Sequence, residues 1–193
     1  MKTWVNNHWA RVGGVWAICI GLVLSLTELD MLHIDKLLWL HLVVLLIHQF
    51  EEYVYPGGFK IFYNTNIYNK NKVTTHPLTD NAILLVNLGI GWTVYLFAAV
   101  KGESSIFLSI GLAGITIFNG LLHTFLALLH RSYNPGLYSS ILLFIPFGSY
   151  LLYRLCTEIE LNLIAIGIVI FLLGIFLVPG TIFIASQIKH KKE

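Results

Sequence analysis

Leu37-Leu38-Trp39-Leu40-His41-Leu42-Val43-Val44-Leu45-Leu46-Ile47 runs directly into His48-Gln49-Phe50-Glu51-Glu52, and the reading of this junction decides the fold. The first part has the composition of a membrane helix, yet a histidine and two carboxylates close it. Ionisable groups at the end of such a helix are costly in lipid, so they face a bundle interior, a partner or a water-filled cavity. At about 100° per residue, His48, Glu51 and Glu52 share one face, with His41 two turns earlier on nearly the same line. That face has the groups to bind a metal or to move a proton.

The rest of the composition agrees with the first part of the junction. The 193 residues are 56% hydrophobic and only 11% charged, and the mean hydropathy is +0.75, too apolar for a soluble domain. The expected fold class is all-α, a polytopic transmembrane bundle of about six spans forming one domain over 1–193. A net charge of +2 is too small to indicate a nucleic-acid partner. Cys19 and Cys156 are far apart and form no disulfide or zinc pattern. No motif for nucleotide, flavin or haem is present.

Turn signals and apolar runs place the spans at 12–29, 37–54, 80–100, 105–129, 137–153 and 161–184. Trp4, Trp9, Lys2 and Arg11 suit an interfacial segment ahead of the first span. A signal peptide fits that segment less well, because its charged region and apolar run are long and no small-x-small cleavage site follows. The long connection Tyr53 to Pro77 mixes aromatics with Lys60, Lys70 and Lys72, as a headgroup layer favours; it reads equally as a surface loop or as a lid over a site. Thr79 or Asp80 caps the third span, Asn134-Pro135-Gly136 turns the chain before the fifth, and Pro146 is expected to kink it. No internal repeat is evident.

Six spans put both termini and the second and fourth connections on one side, which collects Lys2, Arg11, Lys60, Lys70, Lys72, Arg131, Lys189, Lys191 and Lys192. The other side has Lys36, Lys101 and Arg154. The positive-inside rule makes the first side cytoplasmic, and it puts His48 to Glu52 in the cytoplasmic leaflet.

A second polar stripe falls at the same depth. In the fourth span Asn119, His123 and His130 lie within an arc of about 40°. His123 is about 9 Å inside the end of its span, and Asn87 on the third span is about 8 Å inside, at 1.5 Å per residue. Two imidazoles, two carboxylates and two amides can therefore meet. Taken singly, several have a plainer role. His41, Asn87 and Asn119 suit hydrogen bonds between packed helices, His130 suits the interface, and Glu51 and Glu52 could simply end a helix. Negative charge is disfavoured at a helix C-terminus, however, so the pair calls for a cationic partner.

His48-x-x-Glu51-Glu52, followed by Asn119-x-x-x-His123 and Tyr133-Asn134-Pro135-Gly136, resembles the bacterial membrane family named for its H-x-x-E-E motif. The resemblance covers most of the chain and implies an enzyme of unassigned reaction in a bacterial plasma membrane. Glu51-Glu52, His123 and His130-x-x-x-Asn134 also bear a looser likeness to the glutamate-dependent intramembrane proteases that process prenylated proteins. That pattern requires an arginine where this chain has Pro56 and a phenylalanine where it has Asn119.

Three functions follow from these residues. In the first, His48, His123 and Glu52 or Glu51 hold a divalent zinc or iron with a position left open for water. The remaining glutamate is then a general base, and Asn119 or Asn87 holds a substrate oxygen. Within this set Glu51, Glu52 and Asn119 are the catalytic candidates, with His41, Asn87 and His130 in supporting or substrate-binding positions. The reaction expected is hydrolysis of a lipid-like or membrane-embedded substrate. The second function dispenses with the metal: a close carboxyl pair divides into an acid and a base, as an isomerase of a sterol-like lipid requires. The third is proton- or cation-coupled transport, which the absence of inverted repeats and of a polar path to the far side disfavours.

Overall fold

The computed structural model describes residues 2–28, 30, 33–68, 78–157 and 164–176. Among the described residues there is helix and connection but no strand. Helix α1 is Lys2–Leu26, α2 is Ile34–Tyr53, the short α3 spans 59–68, and α4 spans 80–101. Helix α5 is Ile106–His130, α6 is Leu137–Thr157 and α7 is Ile164–Phe176. Three stretches, Trp4–Leu26, Asp80–His130 and Leu137–Thr157, are long and apolar enough to cross a membrane, which points to a membrane protein. The expected sixth span, 161–184, is described only over 164–176. Lys70, Lys72 and His76 of the long connection and the basic tail from Lys189 to Lys192 lie outside the described residues.

The apolar stretch Asp80–His130 is a hairpin. Tyr95 Oη lies 2.8 Å from Thr116 Oγ1, whereas one continuous helix would separate these residues by about 30 Å. The reversal is at Gly102, at φ 56°, where a Cβ would collide with the Asp35 carboxylate. That carboxylate instead accepts the Glu103 N–H at 3.2 Å and ties the hairpin tip to the start of α2.

Helix α2 is the axis of the bundle, with 14 of its 20 residues buried. It is apolar all round because it has neighbours all round. Trp9 lies beside Tyr53, and Gly13 and Gly14 bring α1 against Leu46 and Phe50; a Cβ on Gly14 would stand 2.6 Å from the Phe50 ring. Small residues that let helix backbones approach are the usual device of membrane bundles. Trp92 and Asn87 of α4 meet Gln49. Thr116, Asn119 and His123 of α5 meet His41, His48 and Glu52 in that order. Ser139 and Phe147 of α6 meet His48 and His41. These pairings run α1, α4 and α6 antiparallel to α2, and α5 parallel to it. Gly167, Ile170 and Phe171 of α7 pack on Ile110, Gly111 and Gly114 of α5 in parallel order. The six long helices therefore alternate in direction along the chain. Ile18 and Leu22 of α1, Phe125 and Leu128 of α5 and Leu142 of α6 point outward, as lipid contact allows.

Thr79 Oγ1 caps α4 by accepting the Ala82 N–H at 3.2 Å. Two stretches of the long helices wind in wider π turns, Leu85–Trp92 in α4 and Ser140–Phe144 in α6, as does Tyr63–Tyr68 of the short α3. The second lies just ahead of Pro146, whose nitrogen has no proton to give. Both face α2 near His48 and Gln49. Wide turns of this kind are often found at functional sites.

Candidate metal and acid–base site

His48 and Glu52 are one turn apart on α2, and His123 faces them from α5. Glu52 Oε1 is 3.4 Å from His123 Nε2 and 3.7 Å from His48 Nε2. One ligand atom from each of the three residues lies within 4.8 Å of the others. His48, His123 and Glu52 are 1%, 2% and 5% exposed, so this is a polar cluster inside the bundle. Groups of these types are rarely left so deep without a partner.

The hydrogen bonds around the cluster assign the tautomer of each imidazole. Ser139 Oγ gives its proton to Glu51 Oε2 at 2.5 Å, so at 2.8 Å from His48 Nδ1 it can only accept. His48 therefore carries its hydrogen on Nδ1. Asn119 Nδ2, which can only donate, lies 3.2 Å from His48 Nε2 and so requires a lone pair there. On the other imidazole, Asn134 Nδ2 donates to the His123 carbonyl at 2.9 Å, which turns Asn134 Oδ1 towards His123 Nδ1 at 2.6 Å. His123 also carries a hydrogen on Nδ1. Both Nε2 atoms thus lie on the side of the Glu52 carboxylate. Metal-ligating histidines are typically oriented in this way by a hydrogen bond on the opposite nitrogen.

Glu51 points elsewhere. Its Oε1 accepts the Tyr133 hydroxyl at 2.9 Å and the Tyr138 N–H at 3.0 Å. Its Oε2 accepts the Ser139 N–H at 2.6 Å and the Ser139 hydroxyl. Apart from the Tyr133 hydroxyl, these are donors of the first turn of α6, where unpaired N–H groups and the helix dipole attract an anion. The positive partner that a carboxylate at the end of α2 needs is thus the start of α6. Burial and the hydrogen bond to Glu51 push the Tyr133 phenol well above its ordinary range.

Apolar walls close the cluster. The Phe144 ring stacks on His48 at 3.9 Å between centroids, and Phe59 of α3 lies 5.5 Å from His123. At Gly136, where φ is 100°, a Cβ would stand 2.6 Å from His123 Cε1 and 2.9 Å from His48 Cε1. Glycine is needed there both for its backbone conformation and for the approach of two rings.

A family model described as a protein of unknown function with HXXEE motif matches residues 39–151. The chain belongs to the HXXEE family. No curated protein matches the chain, and no solved structure does. The match spans all of the residues that hold the cluster, from His48 to Ser139, and the motif's histidine and two glutamates face two different partners.

Of the site residues expected from sequence, His48, Glu52, Asn119 and His123 come together in this HXXEE protein. Glu51 adjoins them through Ser139. Asn87 is on another side of α2, where it accepts from Gln49 at 2.9 Å. His41 bonds Thr116 at 2.8 Å, two turns from the cluster. His130 packs on Phe62 at 5.9 Å, beyond it. Sequence reasoning did not single out Ser139, Asn134 and Gly136 as site residues. Their signal was the turn Asn134-Pro135-Gly136 followed by polar residues in an apolar run.

Proposed function

We propose that this HXXEE protein is a six-span membrane enzyme with both termini cytoplasmic, and that His48, His123 and Glu52 hold a divalent zinc or iron in the cytoplasmic leaflet. The family resemblance supports a bacterial plasma membrane, and the alternating helices and the clustered lysines support the topology. A single observation carries the metal site: two imidazoles, each held by a hydrogen bond at Nδ1, bring their Nε2 atoms to one buried carboxylate. Bound there, a divalent cation would supply Lewis acidity, as hydrolysis of a lipid-like or membrane-embedded ester or amide needs.

The chain's own residues take the following parts. Glu52 is the carboxylate at the reacting centre and accepts a proton. Ser139 and Asn134 fix the two imidazoles. Asn119 aims an amide N–H at the same space. Glu51 anchors the start of α6, so that Ser139 keeps its place. Phe59, Phe144 and Gly136 exclude water.

The 3.4 Å approach of His123 Nε2 to Glu52 also suits a second reading, in which a proton takes the place of the metal and the pair moves a double bond in a lipid. Elemental analysis of the detergent-purified protein separates the two. The metal reading expects about one equivalent of zinc or iron, lost in a folded His48→Ala, His123→Ala variant. Negligible metal in both proteins, even after zinc or iron is supplied, would refute it and leave the proton-transfer reading.

A further inference from the structure

Ser140 stands apart from the other buried polar side chains around the cluster. It is fully buried, and its Oγ has no hydrogen-bond partner among the described residues. A buried hydroxyl without a partner is costly and uncommon in a native fold. Its position on α6 says what it faces. Gly136, four residues earlier, lies against both imidazoles. Phe144, four residues later, stacks on His48. Gly120 of α5 packs on Phe144 and Ile145. Residues four apart share a helix face, so Ser140 lies on the face of α6 turned to the junction of α2 and α5, where His48, Asn119 and His123 meet.

We propose that Ser140 Oγ binds an oxygen atom of the ligand held at His48, His123 and Glu52. This rests on the metal reading, and a cation at the site adds a second donor. A cation on His48 Nε2 takes the lone pair that Asn119 Nδ2 now uses. The Asn119 N–H is then freed to serve the same ligand as a second donor. Two neutral donors, a hydroxyl and an amide, match a carbonyl or carboxylate oxygen, and together they can hold the oxygen on which negative charge grows when an acyl group is attacked. The substrate class this favours is a carboxylic ester or amide.

The test uses the full-length protein in detergent, loaded with Co²⁺, and titrates acetate while following the visible absorption of the cobalt. Ser140→Ala is expected to keep the cobalt and bind acetate about five- to tenfold more weakly, the loss of one hydrogen bond. Asn119→Ala is expected to weaken acetate to a similar degree. Cobalt uptake with equal acetate affinities in the parent and Ser140→Ala sinks this inference alone. A parent that takes up no cobalt sinks the metal reading and this inference with it. Thermal unfolding of the metal-free proteins is a separate check. Ser140→Ala is expected to melt no lower than the parent, and a clear fall would show that the hydroxyl already has a protein partner and overturn the assignment.

Discussion

Adjacent and identical, Glu51 and Glu52 are predicted to fail differently when replaced. Glu51→Ala removes the acceptor for four donors, two N–H groups in the first turn of α6 and the hydroxyls of Ser139 and Tyr133. Tyr133 and Tyr138 have access to water and the Ser139 hydroxyl has the Gly136 carbonyl at 3.3 Å, but the Ser139 N–H is buried. One stranded buried group costs about 1–3 kcal/mol, so the loss is about 2–3 kcal/mol, a substantial part of an ordinary folding free energy of about 5–15 kcal/mol. Glu52→Ala strands no backbone N–H or hydroxyl among the described residues, since Glu52 faces the two imidazoles, and its metal-free stability is expected to stay within about 1 kcal/mol of the parent. Metal content should show the opposite order, lost in Glu52→Ala and retained in whatever fraction of Glu51→Ala remains folded. The assay is denaturant unfolding of metal-free protein in detergent, read by tryptophan fluorescence, beside elemental analysis. Equal losses, or a larger loss for Glu52→Ala, would refute the assignment of the anchoring role to Glu51.

Gly136→Ala is expected to displace both imidazoles and abolish metal binding, at a cost of about 1–3 kcal/mol for a left-handed backbone without glycine; retained metal at full occupancy would contradict the close approach. His41→Ala removes a ring packed on Tyr95 and Phe147 and should lower stability by about 2–3 kcal/mol with metal content unchanged, since Thr116 keeps Tyr95 as a partner. The phenol of Tyr133 is raised above its ordinary value of 10.0, so the folded state favours the neutral form. Its contribution to stability is complete below pH 10 and is lost as the pH climbs through the higher folded value. A difference titration of the parent against Tyr133→Phe by ultraviolet absorption should show no phenolate from Tyr133 at about pH 10.5; ordinary ionisation there would refute the contact with Glu51.

How far the sequence could be read differs between the fold and the site. Helical class follows from long apolar runs and punctuation at Thr79, Gly102 and Asn134-Pro135-Gly136, because in lipid a helix satisfies its own backbone. The site was legible as a depth. Counting 1.5 Å per residue gives the height of Asn87, Asn119 and His123, and it cannot give the direction around α2 from which each helix arrives. Asn87 therefore has a suitable height on the wrong side of the axis, bonded to Gln49. The wide turns at Leu85–Trp92 and Ser140–Phe144 leave no periodic trace, since a change from 3.6 to about 4.4 residues per turn is lost within eight residues.

The spacing of the motif has a geometric reason that only the neighbouring helices supply. From His48, three residues along α2 turn the side chain by about −60° and four by about +40°. The first angle aims Glu51 at the start of α6, and the second aims Glu52 at His123 on α5. His48 lies between, bonded to α6 through Ser139 and to α5 through Asn119. H-x-x-E-E is thus the pattern of a helix that serves two neighbours at once, with one carboxylate holding a helix start in place and the other turned to the imidazoles. Moving either glutamate by one residue turns it by about 100°, away from the neighbour it serves. The same rotation accounts for the different work done by two adjacent glutamates, although each alone reads as the same charge at the end of the same helix.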